Sequence, residues 1–295
     1  MKTNALVLIC ILVSIATNAQ VKTDIQGHRG CRGLLPENTI PAFIKAIDIG
    51  VTTLEMDVVI TKDKKVVVSH EAFLNHEICK NAKGDEIKEP EEKSYNIYKM
   101  DYAEVKQCDC GTKIHSRFKE QQKLKAYKPL LEEVIDTVEK YITAKKLKPV
   151  KYNIEIKSEV ETDNEFHPIP AAYTDMVYQL LKGKQILDKV ILQSFDVRVL
   201  QYIHQQNYPV KTAFLVENLK GFDKNMNLLG FVPDIYSPYY KLVSDSLVTT
   251  CHQKNIQLIP WTVNDKADIE RMLKLKTDGM ISDYPDKVIA IINAK

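Results

Sequence analysis

Strand-length apolar runs recur along the chain at 23–27, 53–60, 66–69, 152–156, 190–194, 212–216, 235–236, 257–261 and 279–282, and amphipathic stretches separate most of them. Strands alternating with helices imply a parallel sheet with helices outside it. One pair breaks the alternation. Only Thr61-Lys62-Asp63-Lys64-Lys65 joins 53–60 to 66–69, too few residues for a parallel crossover, so the second run must fold back antiparallel. Eight strands then remain, the number of a closed barrel. The predicted fold is α/β, a (β/α)8 TIM barrel.

Helix signals agree with this reading. Leu130, Leu131, Val134, Ile135, Val138, Tyr141 and Ile142 share one face at helical spacing. Pro129 before that stretch, and Pro41 after Thr39, suit helix starts. Residues 71–127 do not fit the repeat. They are rich in Lys and Glu, hold three cysteines and show weak periodicity. A stretch of that length reads as a subdomain inserted after the second-strand hairpin.

The N-terminus is expected to lie outside the fold. Lys2, an apolar run over 5–16 and small residues before Gln20 read as a signal peptide over 1–19, cut after Ala19. The run is shorter than the roughly 20 residues a bilayer core needs. Ile9 before Cys10 makes a lipoprotein signal a poor fit. Residues 20–295 are thus read as one exported barrel domain, periplasmic or secreted. No later segment suggests stable membrane insertion. A net charge of +2, from 41 Lys and Arg against 39 Asp and Glu, gives no electrostatic footprint for nucleic acid.

Export would leave Cys31, Cys79, Cys108, Cys110 and Cys251. An oxidising compartment permits disulfides, and three cysteines between 79 and 110 hint at a local staple. Cys108-x-Cys110 lacks the C-x-x-C spacing and the second pair of a zinc site.

Barrel enzymes carry their chemistry at the C-terminal ends of strands. Those ends hold His28-Arg29-Gly30, Glu55-Met56-Asp57, Ser69-His70-Glu71, Glu155-Ile156-Lys157, Trp261 and Asp283. Glu55 and Asp57, two apart on a strand, point to the same face. If Ile154 and Ile156 face the helices, Glu155 also points inward. Buried carboxylates need a cation or a basic partner. Three converging ones suit a hard divalent ion, Mg²⁺ or Ca²⁺; a lone E-x-D would read more readily as rim salt bridges, and Glu155 with Lys157 beside it shifts the balance toward the ion.

His28 and His70 titrate near working pH and suit acid–base work on a phosphodiester. The other five, His76, His115, His167, His204 and His252, read as packed or surface residues. Arg29 and Lys157 would hold phosphate oxygens or pair with the carboxylates. Asn38 and Thr39 are both candidate helix caps, and Glu37 and Asn38 are candidates for a place beside the metal ligands. Trp261, the only Trp, would wall the pocket or the core.

These motifs, with Val66-Val67-Val68-Ser69-His70, Glu37-Asn38-Thr39, Gln193-Ser194-Phe195-Asp196 and the segment Asp278-Gly279-Met280-Ile281-Ser282-Asp283-Tyr284-Pro285, resemble the glycerophosphodiester phosphodiesterases in order and over about 25–290. The resemblance implies a phosphatidylinositol-phospholipase-C-like barrel that hydrolyses glycerophosphodiesters to glycerol 3-phosphate and an alcohol. It implies one divalent cation, Ca²⁺ or Mg²⁺, on Glu55, Asp57 and Glu155. His28 and His70 would be the acid/base pair, with Arg29 and Lys157 on the phosphate. Two departures bear on substrate rather than chemistry: the common His-Asp pair is His70-Glu71, and the insert is long and cysteine-bearing.

Two other readings are in view. A lysophospholipase D-like enzyme would need apolar surface at the barrel mouth. A non-catalytic exported binding protein would be signalled by loss of a histidine or carboxylate, and all five are present.

Overall fold

The computed structural model describes residues 23–294. The signal-peptide reading of 1–19 falls outside the described residues. The strands are β1 (Asp24–Gly27), β2 (Thr53–Ile60), β3 (Val66–Val68), β4 (Lys151–Ile156), β5 (Val190–Ser194), β6 (Lys211–Val216), β7 (Ile235–Pro238), β8 (Gln257–Leu258) and β9 (Gly279–Ser282). The sheet order is β8-β7-β6-β5-β4-β2-β1-β9, parallel throughout. As the five-residue loop requires, β3 pairs antiparallel with β2 and stays off that path.

The remaining seam is narrower. Asp278 N donates to Leu258 O at 3.0 Å, Ile281 N to Pro260 O at 2.9 Å and Val263 N to Ile281 O at 2.9 Å, bringing the two end strands together. The eight parallel strands form a nearly closed ring, a (β/α)8 barrel. The strand expected over 257–261 is regular only over Gln257–Leu258, although Ile259 N and Trp261 N still donate to Tyr236 O and Pro238 O at 3.1 Å.

The helix signals reappear on the outer layer. In α1 (Ile40–Ile49), the Thr39 side chain accepts from Ala42 N, and Gly50 ends the helix at φ 102°. After the short α2 (Tyr102–Val105), α3 (Leu131–Lys145) buries Leu131, Val134, Ile135, Val138 and Ile142 against the sheet. Six more helices follow on the outside, from Pro170–Gly183 to Pro285–Asn293.

Strand alternation divides the side chains between two environments. Leu54, Met56, Val58, Ile154 and Ile156 face the helix layer in the main core. The inward face is split. Ile191, Ala213, Ile235, Ile259 and Ile281 form a small apolar plug. Opposite it lie buried polar groups, including Gln26, Thr53, Glu55, Asp57, Asn153, Glu155 and Gln193.

Residues 71–127 contain short helical turns and a core of their own. Leu74, Ile87, Ile97, Val105 and the cysteines 79, 108 and 110 pack with Val59 and Val67. Val59 shares the parity of Glu55 and Asp57, but meets this second core because β2 continues into the hairpin. Cys79 and Cys110 form a disulfide, while Cys31, Cys108 and Cys251 are buried and free. For the 31-residue separation of this bridge, chain entropy gives about 3–4 kcal/mol of stabilisation. We therefore expect a Cys79→Ser, Cys110→Ser variant to lose about that much in urea unfolding, with proteolysis accelerating inside 71–127. An unchanged midpoint and cleavage rate would show that the bridge constrains nothing.

Candidate active site

The turn after β1 brings the first two functional side chains to the barrel mouth. A Cβ on Gly27 would lie 2.1 Å from the Gly30 carbonyl oxygen, and Gly30 itself sits at φ +86° with Ala42 only 2.8 Å from the position of a Cβ. Arg29 takes φ 49° between them, a conformation uncommon for a non-glycine residue. Its backbone N–H donates to Glu55 Oε2 at 2.8 Å, and His28 N donates to Ser282 O at 2.9 Å. The turn is thus tied to β2 and β9 at once.

Glu55, Asp57 and Glu155 each offer an oxygen within 4.8 Å of the others, and all three are buried. Burial pushes Glu55 well above the carboxylate range, and repulsion from Asp57 adds to it. Burial likewise raises Glu155 to about 7, with Lys157 opposing and Asp57 reinforcing the shift. Burial also works against ionised Asp57, but Arg29, His70 and Lys157 outweigh it and hold this carboxyl below its usual range. Asp57 Oδ1 is buried without a hydrogen-bond partner. A crowded all-oxygen donor set with an unpartnered oxygen fits a hard divalent cation.

Both histidines are oriented by carboxylates. His28 Nδ1 lies 2.6 Å from Asp283 Oδ1, which fixes the Nδ1–H tautomer and leaves Nε2 3.9 Å from Glu55 Oε2. Burial and the neighbouring Arg32 push the imidazole down to about 4 despite Asp283, so it is neutral near pH 7. His70 Nδ1 lies 2.6 Å from Glu71 Oε1, and its Nε2 is 3.2 Å from Lys157 Nζ. Glu71 therefore supplies the carboxylate that an aspartate at this position would provide.

The flanking cations are held in pairs. Arg29 donates to Glu37 Oε1 at 2.7 Å and its Nε lies 3.3 Å from Asp57 Oδ2. Burial would raise Glu37, but Arg29 and Arg32 overcome it and hold the carboxyl at about 2. Lys157 Nζ lies 3.0 Å from Glu155 Oε1. Asn38 and Thr39, both candidate caps by sequence, divide the work: Thr39 caps α1, and Asn38 Nδ2 donates to Asp57 Oδ2 at 2.9 Å.

A cleft of about 590 Å³ opens over these groups. Its far wall carries Phe73, Phe166, Phe195 and Trp261. The Trp261 ring faces the cleft while its indole N–H is spent on Ser237 O at 2.9 Å, which leaves it an apolar surface. The sequence alone assigns no role to Arg32, Asp283 or Gln193, although Asp283 follows a strand end and Gln193 lies in the Gln193-Ser194-Phe195-Asp196 motif. Gln193 Nε2 donates to Glu55 Oε1 at 2.8 Å.

The model of the glycerophosphoryl diester phosphodiesterase family matches residues 28–287. The chain belongs to that family. A glycerophosphodiester phosphodiesterase from Bacillus altitudinis is 30% identical over 91% of this chain and 98% of its own length. One from Caldanaerobacter subterraneus is 27% identical over 92% and 98%. Among solved structures, a Silicibacter pomeroyi protein provisionally named a glycerophosphoryl diester phosphodiesterase superposes with TM-score 0.82 at 27% identity, covering 92% of this chain and 93% of that one. The protein is accordingly an enzyme, a phosphodiester hydrolase of the glycerophosphodiester phosphodiesterase family.

The division of work between Asn38 and Thr39 is testable. Asn38→Ala should lower kcat roughly tenfold or more, as loss of a group orienting a central carboxylate does, with the thermal midpoint nearly unchanged. Thr39→Ala should instead cost about 1 kcal/mol of stability and leave kcat close to the parent. The opposite pattern in a paired assay and melt would reverse the two assignments.

Proposed function

We propose that the chain hydrolyses glycerophosphodiesters to glycerol 3-phosphate and an alcohol, with His28 and His70 as the acid/base pair. One observation carries this reading. Two imidazoles each have Nδ1 held by a carboxylate at 2.6 Å, and Nε2 lies 3.9 Å from Glu55 Oε2 for His28 and 3.2 Å from Lys157 Nζ, the partner of Glu155, for His70. With Nδ1 occupied, only Nε2 of each ring is left to exchange protons. One ring takes the proton of the attacking oxygen, either water or the glycerol 2-hydroxyl with water then opening the cyclic phosphate, and the other returns a proton to the departing alkoxide. Arg29 and Lys157 then share the phosphoryl oxygens, the first as a planar fork and the second as a point charge.

Glu55, Asp57 and Glu155 would hold one divalent cation, Ca²⁺ or Mg²⁺. When bound, it would supply Lewis-acid neutralisation of charge on the phosphoryl group. The unpartnered Asp57 Oδ1 and the raised affinity of Glu55 and Glu155 for protons support a cation at this point.

The apolar wall favours a second substrate as well. Phe195 is 41% exposed at the mouth and meets Trp261 edge-on, with Phe73 and Phe166 paired beside the cleft. Such a surface suits an acyl chain. A mouse relative named a lysophospholipase D is 26% identical over 90% of this chain. Among the described residues, no helix is long and apolar enough to cross a membrane. Export to the periplasm or beyond is supported by the sequence of 1–19 and by the Cys79–Cys110 disulfide, which an oxidising compartment maintains.

The test is release of glycerol 3-phosphate from glycerophosphocholine and glycerophosphoethanolamine, with Ca²⁺, Mg²⁺ or chelator. Lysophosphatidylcholine is assayed beside them for choline release. We expect metal-dependent hydrolysis that chelator abolishes and that His28→Ala or His70→Ala lowers by a factor on the order of 100 or more. Full activity in chelator would overturn the metal assignment, and full activity in both histidine variants would overturn the acid–base pair.

A further inference from the structure

Arg32 is 4% exposed and stands between the two acids that hold His28 and Arg29. Its Nε donates to Asp283 Oδ1 at 2.9 Å and its Nη2 to Asp283 Oδ2 at 3.2 Å. Its Nη1 lies 3.6 Å from Glu37 Oε2. Asp283 in turn takes the His28 Nδ1 proton donor at 2.6 Å, and Glu37 takes Arg29 Nη1 at 2.7 Å. One guanidinium thus spans both supports. A lysine could not, because its ammonium is a point charge without the planar fork.

The same residue is gripped from the inserted segment. Gln121 Nε2 donates to the Arg32 backbone oxygen at 2.6 Å. The Phe118 ring lies 4.9 Å from the Arg32 guanidinium carbon and meets Tyr284 edge-on at 6.0 Å. Gln122 N donates to Leu34 O at 3.0 Å, so this end of the insert lies along the loop that leads from Arg29 to Glu37. Asp283 has an independent anchor in Asn264, whose Nδ2 donates to Oδ2 at 2.8 Å. Removing the Arg32 fork therefore loosens the linkage without stripping Asp283 of every partner.

We propose that Arg32 is a positioning residue that locks the orientation of His28 to that of Arg29, and that the insert acts on turnover through it by way of Phe118 and Gln121. The inference rests on the assigned roles of His28 and Arg29. It gives the insert a part in setting the catalytic geometry, beyond any part in choosing the substrate.

The test uses the full chain with glycerophosphocholine, measuring kcat, KM and thermal midpoint for Arg32→Lys, Phe118→Leu and the double variant. Misplacement by about 1 Å costs on the order of 100-fold in rate, so Arg32→Lys should lower kcat by roughly 10- to 100-fold. KM should stay within about threefold, the signature of an interaction that matters in the transition state. Phe118→Leu should lower kcat by about three- to tenfold in the parent and by less than about twofold in the Arg32→Lys background, since residues acting along one linkage are not additive.

Arg32→Lys with kcat within about twofold of the parent, or a Phe118→Leu effect of equal size in both backgrounds, would overturn the proposal. Should Arg32→Lys fail to fold, Phe118→Leu and Gln121→Ala carry the test, and undiminished kcat in both would sink it. His28→Ala and Arg29→Ala are run alongside. If they retain activity, the underlying acid–base and phosphate roles fail; if they lose it while Arg32→Lys does not, only the linkage fails.

Discussion

Three carboxylates buried side by side on the inner faces of β2 and β4 set the terms for the rest of the structure. Their charges repel in a region from which water is largely excluded, and an isolated buried charge is costly unless paired. The surrounding residues answer that problem. Arg29 and Lys157 bring positive charge to Asp57 and Glu155. Asn38 and Gln193 donate to Asp57 and Glu55. The support continues inward, because Gln193 Oε1 and Gln26 Oε1 both accept from Asn153 Nδ2, and Gln26 donates to Asp24 beside Lys151. One half of the barrel interior is consequently a polar network, and the apolar plug fills the other half.

The same constraint explains the shape of the turn after β1. To reach the acids, Arg29 must sit immediately above β2, and the chain must double back within Gly27–Gly30. Only glycine tolerates the close approach to the Gly30 oxygen and to Ala42. The turn also delivers His28 to β9, where Asp283 waits, so the ring's orientation depends on closure of the barrel. The insert then packs on the far side of this turn. The disulfide and small core hold the insert together, and the contacts of Phe118 and Gln121 brace the loop that follows His28 and Arg29.

Much of this is legible in the sequence alone. Strand period and loop length identified the antiparallel arm, because five residues between β2 and β3 leave no room for a crossover. Spacing placed Glu55 and Asp57 on one face, and the flanking Ile154 and Ile156 did the same for Glu155. What stayed hidden depends on contacts between residues far apart in the chain. The pairing of His28 with Asp283 joins positions 255 apart and exists only because β1 and β9 become neighbours when the ring forms. Arg32 looks like one more basic residue in a loop until Asp283, Glu37 and Phe118 arrive from three separate elements. Either Asn38 or Thr39 suits the cap by residue type, and the positive φ of Asn38 goes with its turn toward Asp57, the place beside the metal ligands that the sequence offers for it. The hint of a staple among Cys79, Cys108 and Cys110 resolves to one bridge, because Cys108 lies against the carbonyl of Glu104 while the other two meet.

The measurement that bears most directly on the carboxylate cluster is a metal-binding titration of the stripped protein by calorimetry, repeated with Asp57→Asn and Glu155→Gln. The account predicts one Ca²⁺ or Mg²⁺ per chain, with affinity lost or sharply reduced in both variants while each remains folded. A folded parent that binds neither ion, or variants that bind as tightly as the parent, would contradict it.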